Sequence, residues 1–351
     1  MDSLHQAQQV VFAVDMLLHP EGGQHDASFR HVGAGALNVI QVDRLGQAFS
    51  SNKVLDCGSE RGSARSGSRS QTTNRNKLAQ SFPTEERMNP AREPAPEGPP
   101  LLAIDGTQAR ITLRRPSLRN SLNDEDLGTL LAHFAQVDAD PGVRVLVLGA
   151  DTHGQARPVF SAGYHVGGLD KPGSGPQRFE KIPDALAALR PITVCAMGGS
   201  VYGGATDLVL ACDLRIALAG GEWRMPAAAL GLHYYPSGLR RYVARFGIDL
   251  AKRAFLTAQP LPVELLAAQG LFVQLAGRDD FDAAVDTLVA QVAALAPLAA
   301  QATKRSLNEI AAGRDDEAAM RERERLTQAS ADFAEGRRAF AERRPPQFHG
   351  C

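Results

Sequence analysis

Apolar positions are sparse and irregular over the first hundred residues and become regular from Leu101 onward. LLAIDGTQARITLRR (101–115) reads as two strand-like runs split by Asp105-Gly106, a turn signal that predicts a hairpin. In SLNDEDLGTLLAHFAQVDAD (121–140) a polar start precedes apolar residues at 127, 130, 131 and 134, the spacing of a helix. VRVLVLGA (143–150) is a continuous apolar run, which predicts a strand buried on both faces. A glycine-rich loop follows, then a helix ending near Leu189, a second buried strand ITVCAM (192–197) and a helix opening at Gly203-Gly204. Strands alternating with helices predict an α/β layer with parallel pairs. After about residue 247 the pattern is almost wholly helical, in Ala-rich amphipathic segments.

Composition divides the chain near residue 100. GSERGSARSGSRSQTTNRNK (58–77) and NPAREPAPEGPP (89–100) are Ser/Arg-rich and then Pro-rich, and neither can bury enough apolar surface to offset chain entropy. Residues 1–97 are therefore expected to be a disordered or irregular extension, with Met88 as an alternative start. Residues 98–275 are expected to form the core, and 276–351 a helical C-terminal region.

The 351 residues are 44% hydrophobic with a net charge of −1, as in an ordinary soluble protein. No basic surplus points to nucleic acid. The longest apolar runs fall short of the ~20 residues of a membrane span, and the N-terminal apolar stretch, interrupted by Asp15, lacks a basic flank for secretion. The expected location is the cytoplasm. Cys57, Cys195, Cys212 and Cys351 show no metal-ligand spacing, so no metal is expected.

Two glycine-rich junctions carry the candidate chemistry, VFSAGYHVGGLD (159–170) and GGSVYGGATDL (198–208). A helix N-terminus exposes unpaired N–H groups, and glycine lets a ligand approach them. Two such junctions facing one another would aim two N–H groups at one oxygen, as a developing thioester enolate requires. Neither stretch fits G-x-S-x-G or a phosphate loop. GLRRYVARFG (238–247) mixes cations with aromatics at amphipathic spacing and reads as a helix packed on the core.

ARITLRRPSLRNSLN, VRVLVLGA, FSAGYH, GGSVYGGATDLVLACDLRIA and RMPAAALGLHYYPSGLRRYVARFG, in that order, resemble the enoyl-CoA hydratase/isomerase (crotonase) superfamily. The resemblance covers roughly residues 101–348. It implies an α/β fold, a crotonase-like spiral of ββα units, with a helical C-terminal trimerisation region and a homotrimer or homohexamer. It also implies an acyl-CoA thioester substrate, held between two backbone N–H groups, and no separate cofactor. By position those donors are Tyr164, after Ser161-Ala162-Gly163, and Gly204, after Gly203; Ala162, Gly163 and Gly203 frame the site. Arg119 matches the segment that borders the nucleotide in relatives, and Lys304 lies in the C-terminal helix that often reaches it; a solvated surface charge is the other reading of each, and Arg119 alone is taken as a candidate.

The family's hydratases carry two glutamates, and here those places hold Asp207 and Ala227. Hydration is usually described with one carboxylate activating water and another delivering a proton, so this departure puts ordinary pairwise hydration in question. An aspartate at this place resembles the dienoyl-CoA isomerase branch, whose further carboxylates would fall at Ala227 and Tyr235. Asp207 is expected to transfer a proton; the bland reading is a first-turn carboxylate favoured by the helix dipole. His233 is expected to assist, with Tyr164, His165, Tyr234 and Tyr235 nearby as donors or as a pocket wall. The expected reaction is hydration or isomerisation of an enoyl-CoA. The rivals are a decarboxylase or thioester hydrolase, which needs no glutamate pair, and a CoA-binding homologue without catalysis.

Overall fold

The computed structural model describes residues 96–165 and 176–351. The N-terminal extension expected over 1–97, with Cys57 and Met88, lies outside the described residues apart from its last two positions. The first described strand begins where the extension was expected to end.

Strands β1 (Gly98–Asp105) and β2 (Gln108–Arg114) form the predicted antiparallel hairpin, closed at Asp105 and Gln108. Helix α1 (Asp124–Ala139) starts at Asn123, whose side chain accepts from Asp126 N–H while Asp126 accepts from Asn123 N–H. This reciprocal cap satisfies two donors the first turn leaves open. The chain then passes repeatedly from a long strand to a short one to a helix. The first turn is β3 (Val145–Ala150), β4 (Val159–Ser161) and α2 (Pro176–Ala188). The second is β5 (Ile192–Met197), β6 (Ser200–Tyr202) and α3 (Gly204–Ala211). The third is β7 (Leu214–Leu218), β8 (Glu222–Arg224) and α4 (Pro236–Thr257).

The remaining strands are β9 (Leu261–Pro262) and β10 (Gln274–Ala276), separated by α5 (Val263–Ala268). The long strands and the hairpin make one sheet in the order β1-β2-β3-β5-β7-β10, and the short ones make a second in the order β4-β6-β8-β9. Apart from the β1–β2 and β8–β9 pairs, all pairings are parallel. Each turn thus contributes one strand to each sheet, which is the spiral of ββα units that the sequence led us to expect.

Alternation along the long strands sorts side chains between two cores. Leu146, Leu148, Cys195, Met197 and Ala217 point into the main core with the helices of the spiral. Val145, Val147, Val194, Ala196 and Ile216 face the other way, against Val285, Leu288, Val289 and Val292 of α6 (Phe281–Ala293). Helix α6 therefore covers the large sheet and is part of the core, beyond the boundary expected at 275. The helical region continues through α7 (Pro297–Ala311), α8 (Glu317–Gln328) and α9 (Ala331–Glu342).

Lys304 of α7, for which the sequence left both a nucleotide-side cation and a solvated surface charge open, is buried. Its Nζ donates to Pro191 O and pairs with Asp213 Oδ2, both at 2.7 Å, and Asp213 also accepts from Thr193 N–H and Oγ. An exposed ammonium is the usual state because burial without a partner is costly. Here a carboxylate and a carbonyl just before the neighbouring strands β7 and β5 supply that partner, which spacing along the chain cannot reveal.

Candidate functional site

The two glycine-rich junctions meet at the parallel pairing of β4 with β6. A Cβ on Gly163 would stand 2.7 Å from Tyr202 O and 3.0 Å from Gly204 N, and its φ is +91°. Both the close approach and the backbone angle require glycine at this position. On the other side of the junction Leu122 N–H donates to Gly163 O and His165 N–H donates to Leu122 O, at 2.9 and 2.8 Å. Successive N–H groups of an extended segment alternate in direction, so Tyr164 N–H lies on the edge away from Leu122. Gly204 opens α3, where first-turn N–H groups have no intrahelical acceptor. Ala162, Tyr164, Gly203 and Gly204 are half-buried, whereas Ser161, Gly163 and Ala205 beside them are buried.

Asn120 holds this arrangement from behind and was not singled out in the sequence. It is buried, with φ +51°, a conformation asparagine tolerates better than most residues. Its Nδ2 donates to Asp151 O and Val159 O, and its carbonyl accepts from Ser161 Oγ at 2.6 Å. The neighbouring Arg119 carbonyl accepts from Ala162 N–H at 2.8 Å, while the Arg119 side chain points into solvent. Arg119 thus fixes the junction through its backbone.

Asp207 sits in the first turn of α3 as expected, yet its carboxylate is 0% exposed and held on both oxygens. Arg241 of α4 donates Nε to Oδ1 at 2.8 Å and Nη2 to Oδ2 at 2.6 Å. Tyr235 donates its hydroxyl to Oδ2 at 2.7 Å, and Tyr234 donates to the Tyr235 hydroxyl at 2.9 Å. Arg241 also reaches Asp184 of α2 with Nη1 at 2.7 Å. Burial opposes the Arg241 charge, but hydrogen bonds and charge from Asp207 and Asp184 outweigh it and raise its pKa. Burial, and then the Asp207 charge, push both tyrosines well above the usual phenol range, so they remain neutral donors. The expectation that Asp207 transfers a proton meets a carboxylate fully engaged as a bidentate acceptor. The sequence missed Arg241 because its partner lies on another element, with no local spacing to betray the pair.

His233 also differs from expectation. It is exposed in the loop between Gly231 and Tyr235, with its ring outside the buried cluster around Asp207. Ala227, at the second glutamate place, is buried and caps a 3-10 turn with its carbonyl. The aromatic residues do form a wall. Phe179 of α2 has its ring centroid 5.7 Å from that of Tyr164 and 6.5 Å from that of Tyr235, and Tyr235 stacks on Tyr234 at 4.1 Å. Tyr164 donates its hydroxyl to Asp124 at 2.7 Å, which directs its ring along α1.

At its other end α3 is held by Arg215, which is buried and donates to the carbonyls of Leu271, Cys212 and Asp213. A cation there complements the C-terminal end of the helix dipole. Burial, followed by the Arg245 charge, lowers the Arg215 pKa. Among the described residues no group of three or more His, Cys, Asp and Glu side chains is placed to hold a metal ion.

A family model described as "Enoyl-CoA hydratase/isomerase" matches residues 104–351. A Mycobacterium leprae protein named "Probable enoyl-CoA hydratase echA6" is 30% identical over 246 residues, covering 69% of this chain and 95% of that protein. "Enoyl-CoA hydratase domain-containing protein 2, mitochondrial" of Bos taurus is 30% identical over 256 residues, covering 69% and 84%. Among solved structures, an enoyl-CoA hydratase/isomerase family protein from Hyphomonas neptunium superposes with a TM-score of 0.66 at 25% identity. That match covers 72% of this chain and 98% of the other.

Proposed function

Because the chain belongs to the enoyl-CoA hydratase/isomerase family, we propose that it binds an acyl-CoA thioester and polarises the thioester carbonyl between the backbone N–H groups of Tyr164 and Gly204. Preorganised donors of this kind stabilise the negative charge that develops on the oxygen as an enolate forms. The close approach of Gly163 to Gly204 N supports this reading, since it brings the two donor-bearing segments together.

The chemistry that follows is one in which the substrate, rather than a protein carboxylate pair, provides the driving step. The observation behind this is the Asp207 carboxylate, saturated by Arg241 and Tyr235, with alanine at 227. Releasing Asp207 for proton transfer would leave the mostly buried Arg241 charge with Asp184 as its one carboxylate partner. Loss of CO2 from a 2-carboxyacyl-CoA needs only enolate stabilisation and a proton from water. It is the reaction that asks least of the side chains present. A homotrimer or homohexamer built on the C-terminal helices belongs to the same proposal, as does a cytoplasmic setting.

The names of the relatives favour hydration instead, and one experiment separates the two. The purified chain is offered malonyl-CoA, methylmalonyl-CoA and crotonyl-CoA, and products are followed by mass and by loss of enoyl-thioester absorbance. We expect decarboxylated product from a carboxylated thioester and binding of crotonyl-CoA without appreciable hydration. Crotonyl-CoA hydration at ordinary enzymatic turnover, roughly 1 s⁻¹ or faster, would replace this reading with the hydratase one.

A further inference from the structure

Helices α2, α4 and α7 each turn one face to a cavity of about 1090 Å³. On α4 the lining positions are Ser237, Arg240, Arg241, Ala244 and Arg245, which at spacings of three and four form a single helix face. Glu180 and Asp184 of α2 and Leu298, Ala302 and Arg305 of α7 line it at the same helical spacing. None of Tyr164, Gly203, Gly204 and Ala227 lines it, and neither does Arg119, so the cavity is separate from the proposed carbonyl site.

Charge along this lining is unequal, with eight Lys and Arg residues against four Asp and Glu. All four carboxylates are engaged. Asp184 accepts from Arg241, and Glu309 accepts from Arg305 and Arg323. Glu180 accepts from the Ser237 hydroxyl, and Asp138 from Arg190 N–H. Lys304 is neutralised by Asp213. That leaves Arg240, Arg245 and Arg314, whose side chains have no ion pair or hydrogen bond among the described residues. Arg245 is half-buried, and after burial itself its charge is what lowers the pKa of the buried Arg215.

Cations without carboxylates in a recess with low-dielectric walls focus positive potential on the space before them. The guanidinium fork matches phosphate oxygens two at a time. Pockets of roughly 300–1,000 Å³ hold small organic ligands, so this space is too large for a bare ion alone. No aromatic side chain lines it among the described residues, so a nucleobase would have nothing to stack on. Gln301 instead offers an amide with no hydrogen bond of its own among those residues, suited to a hydroxyl. We infer that the cavity binds a small non-aromatic molecule carrying two phosphate groups, of the sugar-bisphosphate kind, drawn in by Arg240, Arg245 and Arg314.

The test is calorimetric titration of the full chain with fructose 1,6-bisphosphate, inorganic pyrophosphate and acetyl-CoA. It compares wild type with Arg245→Gln, Arg245→Lys and the double variant Arg240→Gln/Arg314→Gln. These side chains bond to nothing in the folded chain, so thermal melting should be unchanged. The bisphosphate is expected to bind wild type at about 0.1 M salt and more weakly as salt rises. Arg245→Gln should lower that affinity roughly tenfold or more, as loss of charge-assisted hydrogen bonds does, with lysine restoring part of it. The double variant should also weaken it, and saturating bisphosphate should leave acetyl-CoA affinity within a few-fold. Absence of bisphosphate and pyrophosphate binding by wild type, or binding that every variant leaves unchanged, overturns the inference. Displacement of the bisphosphate by acetyl-CoA, with both weakened by the same variants, would give these arginines to the thioester's own nucleotide. That result overturns a separate site and leaves the thioester reading intact.

Discussion

A methyl group on Gly204 would meet the Phe179 ring at 2.7 Å, and one on Gly163 would meet a carbonyl oxygen at the same distance with an unfavourable φ besides. Overpacking of a tight site typically costs ~1–3 kcal/mol. Gly163→Ala is expected to exceed Gly204→Ala in a denaturant titration, because backbone cannot yield as a ring can. At Asp207 the expected result of Asp207→Asn is lost stability, about 3–5 kcal/mol for breaking a buried ion pair. Arg241→Met in that background should recover part of the loss, since it removes a mostly buried cation left with Asp184 alone. A double-mutant cycle on unfolding free energies measures this, and additive effects would contradict a coupled pair. The glycines were legible in the sequence because backbone demands appear directly as residue type. Arg241 was not, since the pairing of a cation with a carboxylate 34 residues away leaves no local pattern.

At the scale of elements, β3, β5 and the hairpin could be read from apolar runs and a turn signal, and α1 from its spacing and polar start, whereas β7 and β10 were not singled out. Strands β4, β6, β8 and β9 could not, being two or three residues long and too short to show a period. They nevertheless form the second sheet and bring the two junctions together. Lys304 joins α7 to β5 and to Asp213 just after α3, so the helical region is tied to the element that carries Gly204. Lys304→Met is expected to cost about 3 kcal/mol, the low end for a broken buried pair, because Asp213 keeps its Thr193 donors. Limited proteolysis should show new cleavage in α7 of that variant; an unchanged pattern and melting curve would mean the link carries little.

Across the whole molecule the last residues fold back onto earlier ones. Glu335 of α9 accepts from Arg344, Arg338 and Gln347 N–H, and Asp332 accepts from His349 and Gly350 N–H. Phe348 O accepts from Arg144, just before β3 of the large sheet, at 2.7 Å. The hydrogen bonds from Arg344, with those from Arg338 and Gln347, hold the Glu335 carboxyl well below the usual carboxylate range. A depressed folded-state pKa contributes stability above the unfolded value and loses it as pH falls through the folded one. The tail is therefore expected to stay docked at neutral pH, to weaken as pH falls below about 4, the unfolded carboxylate value, and to lose this contribution in full only well below that. Glu335→Gln should release it at neutral pH, and a variant that stays docked would refute the role given to this carboxylate. Cys351 is exposed at the end of this segment, whereas Cys195 and Cys212 are buried. With Cys57 replaced by serine, a fluorophore on Cys351 would turn the docked tail into a built-in optical reporter, following its release in real time without any engineered attachment point.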